Sequence, residues 1–532
     1  MADRRSFAAV AMVAAMALLP GLGGASRLSY HEAHVAQAAR ELLEGAGGSP
    51  MVPTLDGRPW LEKPPMPAWL AAGVGWLCGG LDERAARLPS ALAALALGLA
   101  VSSIAGRRFG TRAGLIAGLI QATTAWTVAR GRLAEADIHL AALLAWTLAA
   151  FDRLRTPPEG GEGGPDPSAA RWAFFGLLGL VGLVKGVGFG VALAMLVVVP
   201  TLLWDRDFTA IRRLARVPAG WLLALAINLA WPLAMAARYP GAARLWVDHI
   251  AGRFADRPQG FSGEPLWEYL PAPLALLLPW TPLAIVGIAR SWGRARRETG
   301  RFGPDRLLIA WLVAPALAVS MARARNSHYL LPALAPSSIA AAVSVERLGH
   351  MLADRGWPWA SLRRVAGTIF LGLGLAYGLG YSTLGPRFDR RGREWAFYEA
   401  SGRRAPASEP LVLLYDDWDR LPYPTPFGPM PHDLAVRLFY LGRPATWRGS
   451  PEALRADPPA GPFAVIGRDR DRGDLARLGR VEELARGPQL RQPASKVDDR
   501  AFVLFRIAPA RDDRVIRADF ADSLEPGAPP GR

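Results

Sequence analysis

Long apolar runs separated by short clusters of arginine fill the first two-thirds of the chain. About eleven of them, each roughly 14–20 residues, lie near 6–24, 86–104, 113–129, 136–151, 171–184, 186–204, 217–236, 269–289, 307–321, 328–345 and 365–382. Runs of this kind predict membrane-spanning helices, so the expected fold is a mainly α, polytopic membrane protein. A twelfth candidate, "WLEKPPMPAWLAAGVGWLCGG" from Trp60 to Gly80, decides on which side every later loop falls. Short cytoplasmic loops carry the excess of Lys and Arg. If Trp60–Gly80 does not cross, the Arg-dense loops "GRRFGTR", "FDRLRTPPEGGEGG", "WDRDFTAIRRLARV", "RSWGRARRETGRFGPDR" and "ERLGHMLADRGWPWASLRR" all fall inside. The segment is therefore expected to lie along, or dip into, the outer face, its prolines forcing an irregular start.

"EAHVAQAARELLEG" reads as a short helix with Val35, Ala38, Ala39 and Leu42 on one face, suited to the interface plane. Beyond residue 383 the pattern changes. "EPLVLLYDDW", "GPFAVIGRD" and "RAFVLFRI" are strand-like, "PHDLAVRLFYLG" is helix-like, and the end is rich in Pro and Gly. This divides the chain into a membrane domain, 1–383, and a small extracytoplasmic α/β domain, 384–532, with a disordered tail. The basic start and apolar run of residues 1–24 fit either a cleaved signal peptide or a retained span, and in both cases the chain emerges outside.

Composition sharpens this picture in three places. The 532-residue chain carries a net charge of +16, which in a soluble protein would suggest nucleic acid. Here the arginines sit at the ends of apolar runs, where they set orientation, and nucleic-acid binding is set aside. Cys78 is the sole cysteine, which excludes an intramolecular disulfide and a thiolate metal cluster. Lysine occurs only at Lys63, Lys185 and Lys496, in a chain that otherwise uses arginine for nearly every cation. A compact ammonium against a phosphate is not interchangeable with a guanidinium, so Lys63 and Lys185 stand out; chance survival is the plain alternative.

The predicted outer face collects most of the unusual polar residues. His31, His34, His139, His249 and His328 lie in or beside its loops, as do Glu32, Glu62, Glu135 and Asp137. Ionisable groups at the edge of hydrocarbon are costly, which makes them functional candidates. Asp137 opens the apolar helix "ADIHLAALLAW" and reads either as a simple cap or as a base near Glu32. His31 and His34, three apart, can share a metal, but no third ligand stands at a diagnostic spacing. A divalent metal stays open, and no other cofactor is called for. Lys63, Lys185, Arg253 and Arg257 border apolar surface, as expected of a lipid phosphate site or of snorkelling cations without a ligand.

In chain order, "YHEAHVAQAARELLEG", "MVPTLDGRPWLEKPPMPAWL", "ERAARLPSALAAL", "RLAEADIHLA", "GLVKGVG", "HIAGRF", "LLPW" and "HYLLPALAP" resemble the GT-C glycosyltransferases of the aminoarabinose transferase and protein O-mannosyltransferase superfamily, across most of residues 26–382. "GRPWLEKPP" is the most specific part. The resemblance implies an inner-membrane enzyme that moves a sugar from a polyprenyl-phosphate carrier to an envelope lipid, glycan or protein acceptor on the outer face. In that family the first outer loop opens with an Asp-Glu pair; here His31-Glu32 stands there. The implied catalytic set is Glu32 and Asp137 with His31 assisting. Carrier phosphate binding maps to Lys63, Lys185 and Arg253, and substrate contacts to Glu62, His328 and Tyr329. A non-catalytic polyprenyl-phosphate binder or translocator on the same scaffold is the alternative, and an unrelated transporter a third reading.

Overall fold

Backbone polar groups in hydrocarbon must be satisfied within their own segment, and each expected apolar run lies largely on helix in the computed structural model. The structure describes residues 4–155, 167–254, 264–269, 271–300, 302–323, 325–389, 392–415, 427–428, 430–431, 433–487 and 501–508. It divides into two units, Met1–Asp389 with Thr425–Gly428, and Arg390–Pro424 with Pro429–Arg532.

The helices of the first unit are α1 (Arg4–Leu18), α2 (Tyr30–Glu44), α3 (Met66–Cys78), α4 (Glu83–Phe109), α5 (Thr111–Thr123), α6 (Ala125–Gly131), α7 (Asp137–Arg155), α8 (Pro167–Lys185) and α9 (Val187–Trp204). They continue as α10 (Phe208–Ala215), α11 (Pro218–Arg238), α12 (Ala242–Phe254), α13 (Leu266–Tyr269), α14 (Ala272–Leu276), α15 (Thr281–Ala295), α16 (Pro304–Ser320), α17 (Leu331–Asp354) and α18 (Trp359–Phe388). A 3-10 turn, Ser327–Leu330, leads into α17. Among the described residues five helical stretches are long and apolar enough to cross a membrane: Glu83–Phe109, Ser168–Lys185, Pro218–Arg238, Ser327–Asp354 and Trp359–Phe388. Leu266–Leu276 with Thr281–Ala295, bent by 100°, makes a sixth if counted as one span. The chain is an integral membrane protein. Helices α1, α5, α7, α9 and α16 occupy the other expected runs and fall short of that length-and-composition measure.

Small residues let these helices approach closely. A Cβ placed on Gly118 of α5 would meet Val10 of α1 at 2.7 Å and Ser102 of α4 at 2.9 Å. The run expected at 113–129 is broken at Thr124, where the Leu278 carbonyl accepts the Ala125 amide at 2.8 Å and Trp280 Nε1 donates to Thr123 Oγ1 at 3.0 Å. At one end of the bundle, buried ion pairs tie the Arg-dense segments together. Asp152 is paired with Arg107 and Arg108, Arg155 with Asp205 at 2.5 Å and Asp207 at 3.3 Å, and Arg306 with Asp205 at 3.0 Å. The opposite ends of α4, α7 and α8 carry Glu83, Asp137 and Lys185. The residues sorted by charge to two sides thus lie at opposite helix ends.

The disputed Trp60–Gly80 segment holds α3, whose 13 residues extend about 20 Å, against a hydrocarbon core of about 30 Å. By itself α3 is too short to span. Before it the chain makes a hairpin of β1 (Thr54–Leu55) and β2 (Arg58–Pro59), joined by Asp56 and Gly57, both at positive φ as a two-residue I′ turn requires. The Glu41 carboxylate of α2 clamps that turn, accepting from Thr54 Oγ1 at 2.7 Å and from the Asp56 and Gly57 amides at 2.9 and 3.1 Å. Burial pushes the Asp56 carboxyl up to about 6, Glu41 adding to this and Arg58 opposing it. The folded chain therefore holds the Asp56 proton more tightly than the unfolded chain. That stabilisation is complete below the ordinary aspartate value and is lost as pH rises through about 6. Asp56→Asn should raise the unfolding temperature near pH 7 and leave it almost unchanged near pH 4; equal shifts at both pH values, read by thermal unfolding in detergent, would contradict this.

The second unit carries the expected α/β pattern. Helix α19 (Gly392–Arg404) precedes β3 (Leu411–Leu414), and α20 (Leu434–Leu441), β4 (Thr446–Arg448), α21 (Pro451–Ala456), β5 (Phe463–Arg468), α22 (Arg472–Leu475), β6 (Arg480–Arg486) and β7 (Phe502–Ala508) follow. The sheet order is β4-β3-β5-β7-β6, parallel at β4-β3-β5 and antiparallel beyond. Strands β3 and β5 are buried throughout, as central strands covered on both faces are. The tail expected to be disordered lies outside the described residues.

Candidate active site

Two anchors hold the segment before Lys63. Trp231 Nε1 of α11 donates to the Met51 carbonyl at 2.9 Å, and Trp246 Nε1 of α12 donates to the Leu61 carbonyl at 2.7 Å. On α12, His249 Nδ1 stands 3.7 Å from Glu62 Oε1. Burial pushes the Glu62 carboxyl up, but Lys63, His249 and His34 outweigh it and leave the group below its ordinary value. Lys63 itself is half-buried, and among the described residues its ammonium has no hydrogen bond or ion pair. It stands within electrostatic reach of His31, His34, Glu62 and Glu135. A lysine fixed at its backbone, its ammonium free of direct ion pairs among the described residues, is what an anionic ligand needs.

The second half of the site forms where three separate segments meet. Lys185 Nζ, at the end of α8, pairs with Asp137 Oδ1, the first residue of α7, at 2.8 Å. The same ammonium lies 4.9 Å from the centre of the Tyr329 ring, against which His328 packs edge-on at 4.3 Å. Arg130 of α6 pairs with Glu135 and lies over the Trp126 ring. Burial pushes the Glu135 carboxyl up, with Arg130 opposing and Asp137 and Glu32 adding. His31 is open to solvent on one side. Enclosure on the other, with Lys63 and Arg130 nearby, holds its imidazole down at about 4, so the ring is neutral at ordinary pH. His31, Glu62, Lys63, Asp137, Lys185, His328 and Tyr329 thus converge from the segment between α1 and α4, from α7 and α8, and from the turn before α17.

Glu32, expected beside Asp137 as a catalytic carboxylate, is held by several donors. It is fully buried, and its oxygens accept from Arg87 Nε at 2.7 Å, the Ser29 amide at 2.8 Å and the Ala134 amide at 3.2 Å. It closes a capping box at the start of α2 and ties α2 to the turn that carries Glu135 and Asp137. Its carboxylate is thus engaged by Arg87 and by two backbone amides. His34 donates from Nδ1 to the Tyr30 carbonyl at 2.8 Å and His139 from Nδ1 to the Glu135 carbonyl at 2.9 Å, so both brace local backbone. Among the described residues no three His, Cys, Asp or Glu side chains are placed to hold a metal ion. Arg253 lies on α12, the helix that brings His249 to Glu62, but its side chain and all of Arg257 lie outside the described residues.

Known proteins resemble this chain in sequence and in fold. Residues 62–235 match the family described as dolichyl-phosphate-mannose-protein mannosyltransferase. An undecaprenyl phosphate-alpha-4-amino-4-deoxy-L-arabinose arabinosyl transferase of Edwardsiella ictaluri is 32% identical over 327 residues, 60% of this chain and 55% of that protein. A counterpart from Pectobacterium carotovorum is 26% identical over 410 residues, 72% of this chain and 65% of that one. The chain spans about half the length of the first of these curated relatives. The crystal structure of ArnT from Cupriavidus metallidurans bound to undecaprenyl phosphate superposes with a TM-score of 0.69 at 20% identity, covering 94% of this chain and 97% of that one. The chain shares the fold of ArnT. The archaeal oligosaccharyltransferase AglB from Archaeoglobus fulgidus, in complex with an inhibitory peptide and a dolichol-phosphate, is a more distant GT-C neighbour, with a TM-score of 0.53 at 14% identity over 84% of this chain and 64% of that one.

One cation of the site did not stand out in the sequence. Arg130 reaches Glu135 and acts electrostatically on His31, Asp137 and His328. Its signal was present in "RGRLAEAD", but in a chain that uses arginine for nearly every positive charge an arginine carries little information.

Proposed function

We propose that the protein is a glycosyltransferase that moves a sugar from a polyprenyl-phosphate carrier to a lipid, glycan or protein acceptor at the outer face of the cytoplasmic membrane. The observation that carries this reading is Lys63, whose ammonium makes no direct ion pair among the described residues, within electrostatic reach of the same polar cluster as the Asp137–Lys185 pair. The relatives' names supply the carrier class, and that of the E. ictaluri protein specifies undecaprenyl phosphate.

The residues divide the work by charge. When an acceptor hydroxyl attacks the anomeric carbon, the bond from that carbon to the phosphate oxygen breaks, and the departing polyprenyl phosphate gains negative charge. Lys63 is the group that meets it, and preorganised cations are worth most where charge develops. Asp137, kept ionised beside Lys185, takes the acceptor proton. Neutral His31 offers a lone pair for the acceptor or sugar hydroxyls, and Tyr329 with His328 forms a wall on which a sugar ring can lie. The topology that goes with this has eleven crossings, with Trp60–Gly80 and the second unit outside. Reporter fusions after Arg108 and after Arg404 should report cytoplasm and exterior respectively; the reverse at either point overturns the count.

Turnover of a radiolabelled polyprenyl-phosphate sugar by the purified protein in detergent tests the activity itself. Lys63→Ala is expected to weaken donor binding by about 1.5–3 kcal/mol, the worth of a hydrogen bond to a charged group, with the unfolding temperature unchanged. Binding without turnover in the wild-type protein would favour the carrier-binder reading, and unaltered donor affinity in Lys63→Ala would move the phosphate elsewhere.

A further inference from the structure

Arg171 and Lys185 stand fourteen residues apart on α8, about 21 Å along the axis, so the Arg171 end of the bundle is remote from the candidate active site. There α8, α9, α10 and α11 leave an apolar cavity of about 380 Å³, walled by Phe174, Met195, Val198, Leu202, Ile211 and Trp221. The one indole donor on this wall is already used, since Trp221 Nε1 donates to the Leu214 carbonyl at 3.0 Å. Leu214 also lines a smaller opening beside the cavity, bordered by Arg155, Arg171 and Arg213.

Among the described residues the charges at this mouth do not cancel. Arg155 is held by Asp205 and Asp207. Asp205 is shared further with Arg306, and Asp207 also caps α10 by accepting the Ala210 amide at 3.0 Å, so both carboxylates are committed. Arg171 and Arg213 have no acidic partner among the described residues, and neither do the exposed Arg206, Arg212 and Arg216 around them. Phe208 at the start of α10 and Trp172 on α8 are exposed beside these cations. An amphipathic helix with arginines on one face and an exposed aromatic at its start belongs at a membrane interface.

We propose that this end of the bundle is a binding site for an anionic membrane phospholipid. Its phosphate sits between Arg171 and Arg213, and an acyl chain enters the cavity lined by Phe174 and Trp221. An apolar cavity suits an acyl chain, whereas guanidinium groups at the adjoining opening, without acidic partners among the described residues, select a head group with net negative charge. The proposal is independent of what the opposite face transfers.

The full-length protein in phosphatidylcholine nanodiscs, titrated with phosphatidylglycerol and analysed by native mass spectrometry, tests it. Wild-type protein should retain one phosphatidylglycerol preferentially, and the Arg171→Gln, Arg213→Gln double variant should bind it roughly tenfold more weakly, about the loss of one to two head-group contacts. The Arg171→Lys, Arg213→Lys double variant, which keeps the charge, should fall between the two and guards against a folding defect. Lys63→Ala, at the other end, should bind the lipid as the wild type does. Equal retention by wild type and the glutamine variant overturns the proposal. So does displacement of the lipid by millimolar inorganic phosphate, which would make the arginines a site for free anions.

Discussion

Asp137→Asn is expected to lower kcat by about 10²–10⁴, the range for loss of a positioned general base, with little change in the unfolding temperature. The substitution keeps shape and removes charge. If Asp137 merely starts α7, asparagine replaces it at almost no loss, since the two cap helices about equally well. If it takes the acceptor proton, the amide cannot. The Lys185 ammonium, 2.8 Å from Asp137 and partly exposed, retains solvent and the Tyr329 ring as partners, so the fold should tolerate the change. Turnover and thermal unfolding measured on one preparation separate the two readings. Near-normal turnover at unchanged stability would reduce Asp137 to a cap.

Glu32→Gln should act in the opposite way, through the fold. Arg87 is buried on α4 and uses its guanidinium on Glu32 and on the Leu22, Ser26 and Arg27 carbonyls. Neutralising Glu32 leaves a buried cation without its counter-charge, and breaking such a pair from one side costs about 3–5 kcal/mol. The expected result is a large fall in unfolding temperature, with remaining activity in proportion to the folded fraction. Replacing both partners, Glu32→Gln with Arg87→Met, should recover part of the loss, because the uncompensated charge is gone. A stable but inactive Glu32→Gln protein would return Glu32 to the catalytic set.

The helices were legible because hydrocarbon leaves the backbone a single local solution, so the apolar run alone predicts the element. The break at Thr124 was not, since the Leu278 carbonyl and Trp280 that define it arrive more than 150 residues later. Lys63, Lys185 and Asp137 were readable as candidates from residue type and place. That Lys185 belongs to Asp137 was not, because no periodicity links residues 48 apart in a chain rich in charge. Glu32 shows the same limit in reverse. From the sequence it is a carboxylate in the right loop, and only its pairing with Arg87, 55 residues on, shows its oxygens already occupied.

The ion pairs that close the Arg-dense end of the bundle also bear on how the protein is made. Arg155 on α7 meets Asp205 after α9, and Asp205 meets Arg306 at the start of α16. During synthesis Asp205 thus emerges about 100 residues before its second guanidinium, at roughly 5–20 residues per second a delay of about 5–20 s. A ribosome-bound chain halted in that interval exposes an incompletely neutralised carboxylate at a helix end. The charge network at this end is complete only once the start of α16 has been made.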